Sequence, residues 1–490
     1  MLILRGGRVA NPEVGAERVA DVAVAGGRVV AIGTDLPADG AQVVEVAGLV
    51  VGPGFVDLHS HVHSIAGQRL QALDGVTAAL DLEAGLFPVA RAYAVASDEG
   101  RPLHYGFSAS WAGARALAHL GTSADADIDR TLAVLGDPGW QRTSTAPERA
   151  AWLDTLESEI ADGAVGIGVL LGYAPRSDPE EFLAVARLAQ RTGTATFTHV
   201  RELIEADPAT PIDGSLEIAR AAAETGAAMH HCHVNSTSRR HVDRVLGLLE
   251  DARAAGSRVS VEAYPYGAGS TAIGAFFLAP ERLDAWGLVP SDLTIVATGE
   301  RVGDAARLAE LRASDPGQVC LVAFLDEDRP EDAATLRRSL AFPDAIVASD
   351  AMAVLWPDGS QESREWPLPP GGQTHPRTAG TFARSLRRMV VETGAWSWPE
   401  AFRRCSYLPA RVLDGFVPAM STKGRLEVGA DADLVVIDPA RVTDQATYLD
   451  PVRPSRGIVH LLVDGTFVVR DSQLLPDAFP GRPIRGVVGG

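Results

Sequence analysis

Lysine is almost absent from this chain: of 44 basic residues among 490, only Lys423 is not an arginine. Cysteine is scarce too. Cys232, Cys320 and Cys405 lie too far apart for a CxxC pair or a dense disulfide framework, which points to a reducing compartment. Runs such as AVGIGVLLGYA fall short of the ~18 apolar residues that span a bilayer. Leu2, Ile3 and Leu4, ahead of Arg5, are too few for a secretory h-region. Positive charge is also in deficit, with 44 basic against 63 acidic residues and a formal charge of −19, which argues against a partner held mainly through phosphate. The expectation is a soluble, cytoplasmic protein with a small-molecule substrate, no nucleic-acid partner and no membrane partner. A homo-oligomer is compatible with the composition.

What is present is the material of a folded protein. At 46% hydrophobic and 22% charged residues, the chain is neither disordered nor fibrous. The first fifty or so residues alternate apolar and polar positions between Gly-Gly, Pro and Asp-Gly punctuation, as small antiparallel strands do. The same texture returns in ADADLVVIDP and IVHLLVDGTFVV. Between these ends, short apolar segments alternate with Ala/Arg/Glu/Leu-rich stretches of helical period, the pattern of βα units around a parallel sheet.

Eight core strands are read, from PGFVDLHSHV through GVTAALDLEAG, LHYGFSASWAG, GAVGIGVLLGY, TATFTHVRE, AAMHHCHVNS and RVSVEAYPYG to DAIVASDAM. The predicted architecture is therefore α/β, a (β/α)8 TIM-type barrel over residues 53–424, with a small β-sandwich built from residues 1–52 and 425–490. The span from Pro280 to Pro343 exceeds what one helix requires and predicts an insertion or lid.

In such a barrel, polar side chains at the C-terminal ends of strands converge on one mouth. His59 and His61, two apart, share a face of the first strand. His63 lies beyond the strand end and reads as a loop residue. Strand five ends at His199. Strand six supplies His233, with His231 sharing its direction one layer down, and with His230 and Cys232 pointing away. Strand eight ends at Asp350, able to ligate a metal and to move a proton. On strand two, Asp81 and Glu83 share a face and Glu83 is nearer the mouth. Many two-metal barrels bridge their ions with a carbamylated lysine. The lone Lys423 lies outside the barrel strands, so Glu83 is the natural substitute, the alternative being a buried acid paired with an arginine. At the end of strand seven, Tyr264, Tyr266 and Ser270 can donate hydrogen bonds to a substrate carboxylate or oxyanion.

Such a set suits Zn²⁺, one or two ions, which lowers the pKa of bound water to about 7. The hydroxide so formed attacks a carbonyl, Asp350 carries the proton to a leaving amine, and the reaction is hydrolysis of an amide or related C–N bond. GIGVLLG lacks full GxGxxG spacing and reads as tight packing, and no GxSxG elbow stands at the strand ends.

These motifs, in order, resemble the amidohydrolase superfamily and within it the N-acyl-D-amino-acid deacylases (D-aminoacylases). The likeness is carried nearly end to end by GLVVGPGFVDLHSHVH, GVTAALDLEAG, THVRE, HCHVNS, EAYPYGAGST, VASDAM, THPRTAGTFARSL, SYLPARVL and KGRLEVGADADLVVIDP. The resemblance implies His59, His61, His199 and His233 as metal ligands and Asp350 as the catalytic acid/base. It implies Arg377 of THPR, with His375 beside it, as a binder of the substrate α-carboxylate. One departure is clear: where D-aminoacylases carry a cysteine ligand in a TGNCG-like stretch, this chain has DLEAG, with Ala84 at or next to the cysteine's place. That form resembles the D-glutamate deacylase-like subgroup, although the apolar AIGAFF after strand seven supplies no extra cation for a D-glutamate side chain. The competing readings are a hydantoinase-like or isoaspartyl-dipeptidase-like enzyme, which usually needs the lysine carbamate, and a non-catalytic scaffold, which typically loses metal ligands.

Overall fold

The computed structural model describes residues 1–487. The chain divides into two compact units, one of Met1–Leu80, Ala96–Tyr105 and Ile346–Ile484, the other of Asp81–Val95, Gly106–Ala345 and the residues from Arg485.

In the first unit both ends of the chain enter one connected nine-stranded sheet. Leu2–Asn11 pairs antiparallel with Ala16–Ala25, as the Gly- and Pro-punctuated alternation predicts. It also pairs parallel with Gln42–Glu45 and Val50–Pro53, which the purely antiparallel expectation did not contain. Val50–Pro53 joins the two ends of the chain by pairing antiparallel with Leu434–Ile437. The inward positions of both segments, among them Leu4, Val22, Val51, Leu434, Val436 and Leu462, share one apolar core. Lys423 belongs to this unit. Burial works against its charge, but Asp433 and Asp431, 2.6 and 2.9 Å from Nζ, more than offset that and raise its pKa. The only lysine is thus committed to a structural ion pair.

All eight predicted core strands form, at Phe55–Asp57, Val76–Leu86, His104–Ser110, Ile167–Leu170, Ala195–His199, Ala228–His231, Val259–Ala263 and Ile346–Val347. They follow one another in chain order in a single sheet, and the registers resolved between neighbours are parallel. A parallel bridge between Ser60 and Ala351 links the ends of the first and last strands, so the sheet is a nearly closed barrel. Every residue of Val76–Leu86 is buried, as expected of a strand covered on both faces. The connecting helix Pro179–Thr192 starts and stops where its sequence signals do: Asp178 caps the N-terminus by accepting from the Glu180 N–H, Pro179 opens the first turn, and Gly193 ends it in the left-handed region at φ 70°.

Additional structure within the second unit begins earlier than Pro280. Strand Val259–Ala263 stops before Pro265, whose ring nitrogen cannot donate to a ladder. The following run, Ala268–Ala272, pairs antiparallel with Val319–Ala323, which also pairs with Leu293–Ile295. Among the described residues, no helix is long and apolar enough to cross a membrane.

Candidate metal centre

The first unit gathers His59, His61 and Asp350. The two-residue spacing brings the His59 and His61 Nε2 atoms to 3.1 Å with the rings nearly perpendicular, at 86°. Asp350 reaches them by a turn rather than by strand alternation, its backbone lying in the left-handed region at φ 51°. Its Oδ1 is 3.4 Å from His59 Nε2 and 3.6 Å from His61 Nε2. Such a conformation costs a non-glycine residue energy and is found disproportionately where function requires it. Two imidazole nitrogens that close cannot both carry a proton toward one another. With a carboxylate oxygen beside them, the set offers lone pairs to a cation.

Beneath this cluster, Asp57 fixes the register. It accepts from the His59 N–H (3.3 Å), the Ser349 N–H (3.0 Å), Gln71 Nε2 (3.0 Å) and the Ser349 hydroxyl, so the first strand is tied to the turn that carries Asp350. Complete burial pushes the Asp57 carboxyl up to about 7 against the pull of these donors. The His61 N–H donates to the Ala351 carbonyl at 2.8 Å, a second tie between the same segments.

Arg377 opens helix Arg377–Leu386 and is fully buried. Its Nη1 lies 2.9 Å from Asp350 Oδ2, so the arginine assigned by resemblance to a substrate carboxylate holds the candidate proton carrier. His375 sits where that helix begins. Its Nδ1 accepts the Arg377 N–H at 3.0 Å and its ring stands edge-on to Tyr448 at 5.4 Å. His375 therefore contacts the backbone at the start of that helix. His63 lies outside any strand and is half-buried, as a loop residue.

The second unit gathers Glu83, His199 and His233, all with ligand atoms within 4.8 Å of one another. Glu83 Oε1 is 3.1 Å from His199 Nδ1 and 2.7 Å from His233 Nε2. One carboxylate oxygen facing two imidazole nitrogens in a buried place is again a donor set that fits a divalent cation. Asp81 is used otherwise: its Oδ1 accepts the Gly85 N–H at 3.1 Å within the last residues of the same strand. Gly85 has φ 63°, and a Cβ there would stand 2.4 Å from the Ser108 carbonyl oxygen. Gly168 of GIGVLLG is a packing glycine, its absent Cβ leaving space for the Glu83 carbonyl oxygen that would otherwise be 2.5 Å away.

His233 reaches Glu83 by a route the strand parity did not foresee. The strand ends at His231, and His233 stands in the left-handed region at φ 31°, ψ 60°. Its N–H donates to Glu262 Oε1 at 3.2 Å, and Ser236 Oγ lies 3.0 Å from its Nδ1, directing Nε2 toward Glu83. The expectation that His231 shares the direction of His233 is corrected accordingly. His231 faces helix Gly214–Thr225, its Nε2 3.2 Å from Ser215 Oγ, and burial lowers its pKa to about 3, so it is neutral. His230 shares Glu262 with His233, at 2.9 Å from Oε2.

Tyr264 and Tyr266 are buried after strand Val259–Ala263. The Tyr264 ring stands edge-on to His233 at 6.4 Å, and its N–H donates to Asn235 Oδ1 at 3.2 Å. Tyr266 packs with Phe324, Leu325 and Leu336. Ser270 is not at a barrel strand end. It lies on Ala268–Ala272, opposite Leu321 of the additional small sheet, because the chain had already left the barrel at Pro265. Sequence reading missed Ser236, the role of Glu262 and the aromatic residues around His199. A hydroxyl three positions after a ligand histidine was a visible signal, and the left-handed turn that makes it useful was not.

With fold and geometry in hand, the chain belongs to the amidohydrolase family, whose model matches residues 42–469. It is 30% identical to the D-aminoacylase of Alcaligenes xylosoxydans xylosoxydans over 95% of this chain and 93% of that one. It is 29% identical to the N-acyl-D-glutamate deacylase of the same organism, over 99% and 96%. Among solved structures, an N-acyl-D-glutamate deacylase from Bordetella bronchiseptica, complexed with zinc and a phosphonate mimic of the tetrahedral intermediate, superposes with a TM-score of 0.76 at 25% identity, covering 99% of both chains. A D-hydantoinase from Thermus sp. shares the fold at a lower TM-score of 0.59 and 18% identity.

Proposed function

We propose that this chain hydrolyses the amide bond of N-acyl-D-amino acids to a carboxylate and a free D-amino acid. His59, His61, Glu83, His199, His233 and Asp350 would hold zinc, as one or two ions, and Asp350 would carry the proton. The observation behind this reading is that each of these residues lies near or just beyond the end of a strand of the same parallel sheet, and that both donor sets, one in each unit, have the composition a borderline cation requires. Zinc, when bound, polarises a carbonyl and acidifies water.

Asp350 Oδ1 faces the histidine nitrogens while Oδ2 is held by Arg377, so one oxygen is fixed and the other is placed to take a proton from attacking water and return it to the leaving amine. The five N–H donors of an arginine allow Arg377 to hold Asp350 and also meet the substrate α-carboxylate. His375 would set its direction. Tyr264, Tyr266 and Ser270 stay candidates for substrate contact, of which Tyr264, beside His233, has the strongest support. Glu83 takes the place of a lysine carbamate or a cysteine ligand, because the one lysine is buried against Asp431 and Asp433.

We assign residues 1–52 and 425–490, of which 488–490 lie outside the described residues, to the β-domain and 53–424 to the catalytic barrel. Work in the cytoplasm is supported by three buried cysteines in thiol form. The test is incubation of zinc-loaded protein with N-acetyl-D- and N-acetyl-L-amino acids, including neutral and acidic side chains, with free amine as readout. Release from D-substrates supports the reading. Release from L-substrates alone, or from none, refutes it.

A further inference from the structure

In the second unit, four flat groups lie one on another, beginning at a proposed metal ligand. The His199 ring is nearly parallel to Phe277, at 10° with centroids 6.0 Å apart. Phe277 is nearly parallel to Trp286, at 14° and 5.0 Å. The Arg239 guanidinium lies over Trp286 at 3.4 Å and donates from Nη1 to the Trp286 carbonyl at 3.2 Å. Tyr173 braces the other flank, 4.8 Å from His199 and 5.4 Å from Phe277. Gly172 completes the enclosure, since a Cβ there would stand 2.6 Å from His199 Cδ2. Phe277 and Trp286 belong to no barrel strand. They lie in the chain after Ala268–Ala272, in a segment further gripped by Arg282, whose guanidinium lies 4.1 Å over Phe276 and pairs with Asp207 at 3.1 Å.

Histidine ligands are held in plane by the groups around them, and disturbing those groups weakens metal binding. Offset-parallel rings and a cation over an indole supply such a restraint through faces. We propose that Phe277, backed by Trp286 and Arg239, is a positioning residue for His199, so that affinity for zinc depends on a segment that contributes no ligand. This rests on the reading of His199 as a zinc ligand. Because coupling between two sites is reciprocal, zinc in turn stabilises the stack.

The test uses the full-length chain and zinc alone. Affinity is measured by chelator competition for wild type, Phe277→Ala, Phe277→Tyr and His199→Ala, and zinc-dependent tryptophan fluorescence for wild type and Trp286→Phe. The expected result is a dissociation constant raised about 10–100-fold by Phe277→Ala and restored by Phe277→Tyr, with a zinc-induced fluorescence change that disappears in Trp286→Phe. Affinity within twofold of wild type in a Phe277→Ala protein that melts like wild type overturns the proposal. If that variant does not fold, the fluorescence decides, and a zinc response identical in wild type and Trp286→Phe overturns it. Zinc binding unaffected by His199→Ala, or absent in wild type, instead removes the underlying ligand assignment.

Discussion

The two donor sets are built by different means. In the first unit, His59 and His61 come from one short stretch of chain, and Asp57 locks that stretch to the turn bearing Asp350 through Ser349. In the second, Glu83 and His199 come from two strands and His233 from just beyond a third. His233 is swung into place by a left-handed turn held by Glu262 and Ser236, while His199 is clamped by aromatic faces. In the first set the two histidines share local covalent geometry and one buried carboxyl ties them to Asp350, whereas in the second His199 and His233 are each oriented by side-chain neighbours of their own. The lesson is that equivalent ligands differ in how many other residues their precision depends on, and substitutions should expose that difference.

The largest effect is expected at Asp350. Asp350→Asn should lower kcat by about 10²–10⁴-fold with zinc content unchanged, because an amide cannot accept the proton. Turnover near wild type would remove Asp350 from its role. Next, Ser236→Ala should weaken zinc binding about 10–100-fold by releasing His233, measured by chelator competition. An unchanged affinity would mean that backbone conformation alone orients the ring.

Arg377→Ala separates two roles on the first set. If Arg377 acts only through Asp350, kcat falls equally for N-acyl amino acids and for amides lacking a carboxylate. If it also binds the carboxylate, kcat/KM falls further for the former, and that additional loss is expected here.

The smallest effect concerns Asp74, which pins the helix beginning at Arg377. It accepts from the Phe382 N–H (2.7 Å), the Ala383 N–H (3.0 Å) and Ser455 Oγ (2.7 Å), and burial pushes its pKa up to about 8. An acid whose folded pKa is raised contributes stability in its neutral form, fully present below the ordinary carboxyl value and lost as pH rises through the folded value. The melting temperature should therefore fall from about pH 4 to about pH 8, and Asp74→Asn should flatten that slope. An equal slope in the variant would assign it to another group.

Much of the site was legible because strand periodicity constrains it. His199 at a strand end and Glu83 two positions past Asp81 follow from alternation along short buried segments, whereas the HxH pair, read as part of the first strand, lies just beyond Phe55–Asp57. Asp350 was legible as the one carboxylate at the mouth end of strand eight, although the structure places it by a turn. His233 was legible by residue type and position, and its direction was not, because strand parity stops at His231 and a left-handed turn intervenes. Ser270 was misplaced since apolar alternation after Tyr264 does not reveal that Pro265 has ended the barrel strand. The Arg377–Asp350 pair and the stack on His199 join segments distant in sequence, which no local period encodes. In the fold, the eight strands were readable as hydrophobic runs, whereas the parallel pairing of Leu2–Asn11 with Val50–Pro53 depends on a crossover that composition leaves unmarked.

The most direct test of the account is a zinc titration of metal-stripped protein with hydrolysis of N-acetyl-D-amino acids followed at each addition, performed on wild type, His61→Ala and His233→Ala. Activity that rises with zinc in wild type and is abolished by either substitution, one from each donor set, is the predicted result. Full activity without metal, or a variant in either set that hydrolyses like wild type, would contradict it.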